Sequence, residues 1–134
     1  MIGADTNILV RYLTQDDKYQ TKIVNDFIEK LLKHERKLYI NSIVICELVW
    51  VLEDCYHYKK SQIAEALHQI CNVHMIEIEG REFLQQALKD YERYPVDISD
   101  CFIGRLNQMS KCPYTASFDK RACRLETFIA VEQY

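Results

Sequence analysis

Glycine and proline are scarce here, at three and two residues, and no repeat or low-complexity stretch interrupts the chain. Flexible linkers need such residues, so all 134 residues (1–134) are expected to form a single domain, long enough to bury a core. No apolar run approaches the roughly 20 residues that span a bilayer, so no membrane segment is expected. Met1-Ile2-Gly3-Ala4-Asp5 has no basic region ahead of an apolar one, and no secretory signal is expected from it. The six cysteines (Cys46, Cys55, Cys71, Cys101, Cys112, Cys123) include no C-x-x-C pair. They read as reduced, cytoplasmic thiols inside apolar helical patterns rather than as a zinc site. A basic excess is also missing, since 17 Lys and Arg face 20 Asp and Glu for a formal charge of −3. Any nucleic acid would have to be held by a local patch rather than by the field of the whole chain.

Apolar residues make up 49% and charged residues 28%, the mixture of an ordinary globular chain. Ile2 to Asp5 fits a short buried strand, and Asp5-Thr6-Asn7 supplies turn and cap chemistry before Ile8-Leu9-Val10. Helical spacing runs from about Tyr19 to Leu32 through Ile23, Val24, Phe27, Ile28, Leu31 and Leu32. Leu38-Tyr39-Ile40 is β-like, and Asn41-Ser42 offers an N-cap to the segment that follows. The run 43–52 is rich in β-branched residues, yet its length and its continuation into Glu53-Asp54 favour a buried helix. Further helical stripes are Ile63, Leu67, Ile70, Cys71 and Phe83, Leu84, Ala87, Leu88, Tyr91, with a strand at Met75–Ile78 between them. After Pro95 a helix opens at Asp97-Ile98-Ser99-Asp100 and stops before Pro113. Thr115–Phe118 reads as a strand ending at Asp119, Lys120 to Leu125 as helical, and Phe128 to Val131 as a last strand. Short strands alternating with helices predict an α/β fold with a mainly parallel central sheet, flanked by helices.

Five acids sit against apolar runs: Asp5, Glu47, Asp97, Asp100 and Asp119. In parallel sheets ligands bind beyond the carboxyl ends of the strands, where Asp5 and Asp119 fall. Each acid but one has a plain explanation as a cap. Asp97-x-x-Asp100 has the form of a capping box, Asp119 can cap the helix from Lys120, and Asp5 can cap the helix after Thr6. Glu47 is different, being the only charged residue in Ile43–Leu52. If that segment is buried, its carboxylate needs a cationic partner, either a side chain or a metal. Converging carboxylates repel one another until they protonate or bind cations, and an all-oxygen donor set suits Mg²⁺ or Mn²⁺. Metal-assisted phosphodiester hydrolysis is the chemistry that such a set supports.

Four segments carry a resemblance in order: Asp5-Thr6-Asn7-Ile8-Leu9-Val10-Arg11-Tyr12-Leu13, Cys46-Glu47-Leu48-Val49-Trp50-Val51-Leu52, Val96-Asp97-Ile98-Ser99-Asp100-Cys101-Phe102-Ile103 and Ser117-Phe118-Asp119-Lys120. Through them the chain resembles PIN-domain nucleases, most closely VapC-type ribonuclease toxins of type II toxin–antitoxin systems. The resemblance implies a PIN-like three-layer fold and an endoribonuclease that uses Mg²⁺ or Mn²⁺ and leaves 5′-phosphate ends. It implies Asp5, Glu47, Asp100 and Asp119 as the catalytic acids and metal ligands. Asp97, Thr6, Asn7 and Ser117 are expected to support them. Arg11, Lys120 and Arg121 are expected to bind RNA, with Arg105 and Arg124 as further candidates and Tyr12 as a base-stacking or core residue. Expected partners are RNA, a cognate antitoxin and a second copy of the chain in a homodimer. Ser117 stands where Thr is commoner and Cys101 where a small Ala is usual; neither removes an acid. The alternatives are a PIN nuclease that is not a toxin, or a catalytically weak module that binds through its acidic pocket. A phosphoryl-transfer domain fits poorly, because Asp5-Thr6-Asn7 lacks a second Asp.

Overall fold

The first strand, β1 (Ile2–Gly3), is two residues long and exposed in the computed structural model of the chain, which describes residues 1–134. It is an edge strand, pairing only with β2 (Leu38–Ile40), which pairs in turn with β3 (Ile76–Ile78); both pairings are parallel. The buried strand expected over Ile2–Asp5 is shorter and more open than that, and burial starts at Ala4. In β2 and β3 the buried residues Leu38, Ile40, Ile76 and Ile78 flank half-buried Tyr39 and Glu77, the alternation a pleated strand imposes.

The chain packs as two compact units, Met1–Glu79 and Gly80–Tyr134. In the first, the sheet β1-β2-β3 is accompanied by α1 (Thr6–Thr14), α2 (Lys18–Lys33), α3 (Ser42–Asp54) and α4 (Lys60–Asn72). Side-chain caps set three of these starts, two of them, Asp5 and Asn41, legible in the sequence. Asp5 accepts the Thr6 N–H, Asp17 accepts the Gln20 N–H, and Asn41 accepts the Val44 N–H. On α4, Ile63, Ala64, Leu67, Ile70 and Cys71 are buried, as their spacing predicts. Helix α3 buries Val44, Ile45, Leu48, Val49 and Leu52, but leaves a stripe of Ile43, Glu47 and Trp50 in solvent.

The second unit joins α5 (Arg81–Arg93) to α6 (Ile98–Met109), followed by β4 (Thr115–Ser117) and β5 (Phe128–Ala130), which pair in parallel. Gly80 precedes α5 with φ +66, and a Cβ there would meet the Leu106 side chain at 2.9 Å. Leu84, Ala87, Leu88 and Tyr91 of α5 and Ile98, Cys101 and Phe102 of α6 form the buried faces of this helix pair. Gly104 sits where α6 comes closest to Thr127 and Phe128, and leaves no room for a Cβ. The helix expected from Lys120 to Leu125 is a single 3-10 turn, Ala122–Arg124. The α/β class is as expected: six helices, and short strands that pair only in parallel. No helix is long and apolar enough to cross a membrane.

Candidate functional site

Asp100 lies in the first turn of α6, half-buried, with its carboxyl held above the usual aspartate range. Burial is the main cause, and the negative charges of Asp97 and Asp119 add to it. The second unit therefore brings three of the five sequence-singled acids within electrostatic reach, with no basic side chain lowering the Asp100 carboxyl. Asp97 occupies the N-cap position of α6, but its side chain makes no cap hydrogen bond. The capping box expected of Asp97 and Asp100 does not form. Both carboxylates stay free of the helix terminus and close enough to oppose each other.

Asp119 follows β4 and is held by its own turn. Its N–H donates to Ser117 Oγ at 3.0 Å, and its Oδ1 accepts from the Arg121 N–H at 2.8 Å and the Ala122 N–H at 3.4 Å. Ser117 thus supports Asp119 through its backbone rather than through its carboxylate. The helix that Asp119 was expected to cap does not form, and the N-cap position of the 3-10 turn falls to Arg121; the Asp119 Oδ1 bonds close the tight turn before it. An open cleft of about 480 Å³ adjoins this turn, lined by Pro95, Lys120, Arg121 and Arg124. All three of those cations are exposed or half-exposed.

In the first unit, Asp5 ends the β1 connection and is exposed; its Oδ1 accepts the Thr6 N–H at 2.8 Å. Thr6 is buried, and its Oγ1 has no hydrogen-bond partner. Asn7 is exposed. Glu47 corrects the sequence reading most sharply, because it too is exposed. Ile43, 74% exposed, and Trp50, 59% exposed, flank it one turn away on each side. No burial penalty therefore compels a cation at Glu47. In the run 43–52, read from the sequence as a buried helix, Leu52 is buried but Trp50 is not. Sequence reasoning passed over Glu79, which follows β3 and accepts the Ser42 hydroxyl at 3.1 Å. Its signal was an acid at the end of an alternating strand, just before Gly80.

The cations divide clearly. Arg11 is tied to Asp16 at 2.9 Å, Gln20 at 2.6 Å and Tyr56 at 3.1 Å, with the Tyr56 hydroxyl also donating to Asp16. The Arg11 pKa is raised chiefly by its bond to the Tyr56 oxygen, and Asp16 is lowered chiefly by the bond it accepts from the Tyr56 hydroxyl. Arg105 grips buried Asp90 with two bonds of 2.7 and 2.8 Å and reaches Glu126 at 3.0 Å. Both arginines are bound within the fold, whereas Lys120, Arg121 and Arg124 face the cleft. Tyr12 is half-buried and lines a small apolar pocket with Leu9, Ile28 and Leu38. The six cysteines are free thiols; Cys71 and Cys101 are buried as expected, but Cys55 and Cys112 are exposed.

A divalent cation fits this site by charge and donor type. The available donors are hard carboxylate oxygens, the set preferred by Mg²⁺ and Mn²⁺. The Asp100 carboxyl is raised chiefly by its burial, and the charges of Asp97 and Asp119 add to that with no basic group opposing them. Within either unit no three Asp, Glu, His or Cys side chains already close into a cage.

Residues 3–127 match the family model described as the PIN domain. A VapC ribonuclease of Aquifex aeolicus (strain VF5) is 31% identical over 122 residues, covering 90% of this chain and 89% of that protein. No solved structure matches the chain significantly.

Proposed function

Because the chain belongs to the PIN domain family, we propose that it is a metal-dependent endoribonuclease, the toxin of a toxin–antitoxin pair, with residues 1–134 as one PIN domain. The observation that carries this reading is the grouping of Asp97 and Asp100 at the start of α6 with Asp119 after β4, where a cleft lined by Lys120, Arg121 and Arg124 opens at the Asp119 turn. Asp5, Glu47, Asp100 and Asp119 are the residues that would hold a divalent cation, Mg²⁺ or Mn²⁺. When bound, such an ion polarises the phosphodiester and lowers the pKa of a water to be used as nucleophile.

The chain's own residues do the rest. Asp5 and Asp100 are the principal ligands. Asp119, with Oδ1 fixed in its turn, offers Oδ2. Exposed Glu47 orients the attacking water by accepting its hydrogen bond. Asp97 adds to the local negative charge that attracts the ion. Lys120, Arg121 and Arg124 hold RNA phosphates, as cations commonly do in positioning a nucleic acid. The partner that restrains the enzyme is an antitoxin protein, the active form is a homodimer, and its place is the cytoplasm.

The test is cleavage of RNA in Mg²⁺, in Mn²⁺ and in EDTA, by the natural chain and by Asp100→Asn. Cleavage is expected in either metal, with none in EDTA and none from a folded Asp100→Asn protein. Undiminished cutting in EDTA, or by that variant, would refute the proposal.

A further inference from the structure

Phe118 is 80% exposed, more than any other large apolar side chain except the terminal Tyr134. It is not on a loose segment. Ser117 before it is paired with Ala130 in the β4–β5 sheet, and Ser117 Oγ accepts the N–H of Asp119 after it. Asp119 is fixed in turn by the Arg121 and Ala122 amides. The backbone on both sides is hydrogen-bonded, so the ring is presented to solvent from a defined place. It stands next to an acid of the proposed site, and two residues before Lys120, which lines the basic cleft with Arg121 and Arg124.

An aromatic ring beside phosphate-binding cations is how proteins hold single-stranded nucleic acid, with the cations tracking the backbone and the ring stacking on a base. A base inside a duplex has both faces covered by its neighbours, and only an unpaired one offers a face to Phe118. On the ribonuclease reading above, on which this rests, we infer that Phe118 is the stacking platform for an unpaired base of the substrate. Charge complementarity favours this occupant over an apolar protein partner, since three cations line the cleft that opens two residues after the ring in a chain of net charge −3.

The experiment measures kcat/KM in Mn²⁺ on a short single-stranded RNA with one cut site, and on a series carrying one abasic nucleotide moved along the strand. Phe118→Ala is expected to lower kcat/KM roughly 5- to 140-fold, the usual range for losing one base stack, and Phe118→Trp to retain it. One abasic position should cost the natural enzyme the same factor and cost Phe118→Ala nothing. An unchanged Phe118→Ala overturns the inference, as does a loss equally large on intact and abasic strands, which marks a structural role. So does a Phe118→Ala protein that loses a protein–protein association but cuts normally. If the natural chain cuts no RNA at all, the ribonuclease reading itself has failed, and this inference with it.

Discussion

Replacing Arg105 with Ala should damage the fold rather than any RNA contact. Its guanidinium makes two parallel bonds to Asp90, at 2.7 and 2.8 Å, and Asp90 is buried. The pair ties α5 to α6, the helix whose first turn carries Asp100. Truncation leaves a buried carboxylate without a partner, a loss of about 3–5 kcal/mol. That is a large share of the roughly 5–15 kcal/mol that holds a typical domain together. The third bond, to Glu126, is worth little, because that carboxylate's side chain is 72% exposed and water competes for it; about 0–1 kcal/mol is expected for Glu126→Ala. Removing both partners of the buried pair, as Arg105→Met with Asp90→Leu, should recover most of the loss, since apolar groups of similar volume need no counter-charge. Urea denaturation of the natural chain, the two single variants and the double variant gives all four values. A cost below about 1 kcal/mol for Arg105→Ala, or one equal to that of Glu126→Ala, refutes the argument. If Arg105→Ala were as stable as the natural chain but bound RNA poorly, Arg105 would belong with the cleft cations after all.

Three further outcomes follow from the same geometry. The Asp100 carboxyl is raised in the fold, so its charged form is disfavoured there; the penalty is absent below the ordinary aspartate pKa and grows as pH rises through the raised one. Asp100→Asn should therefore stabilise the metal-free protein at neutral pH by a few tenths of a kcal/mol, as expected for relief of one like-charge pair three residues apart. That gain should vanish in acid, and Mg²⁺ should raise the Tm of the natural chain but not of the variant; equal stability at every pH refutes it. Gly104→Ala places a Cβ 2.8 Å from Thr127 Cβ and 2.9 Å from the Phe128 ring, and should cost about 1–3 kcal/mol in urea denaturation; a neutral effect would show that β5 yields freely. Glu47→Gln should lower cleavage by about 100-fold or more while leaving stability within about 0.5 kcal/mol, because the side chain is exposed. Activity near that of the natural chain would remove Glu47 from the site.

The α/β order was readable because most elements carry local signals. Asn41 caps α3 at the residue its chemistry suggests, Leu38–Ile40 is a strand with the predicted bounds, and α4 buries its expected stripe. What escaped the sequence depends on distant partners. Arg11 meets Tyr56 across 45 positions and Arg105 meets Asp90 across 15, so neither could be told from a free cation by its neighbours. The same holds for β1, whose exposed Ile2 and Gly3 contrast with the buried Ile76 and Ile78 of β3 at the opposite edge of the sheet.

Glu47 shows why hydrophobicity misjudged its burial. A helix with one solvent face normally declares it through polar residues at a 3.6-residue period. On α3 that face carries Ile43 and Trp50 beside Glu47, so the apolar run hides the period that would have placed the acid in water. Reading Glu47 as buried required the exposed face to be polar, and it is not. Burial therefore demands no cation at Glu47, whereas Asp100 combines burial with two acidic neighbours. The site should be sought from α6 and the Asp119 turn outward.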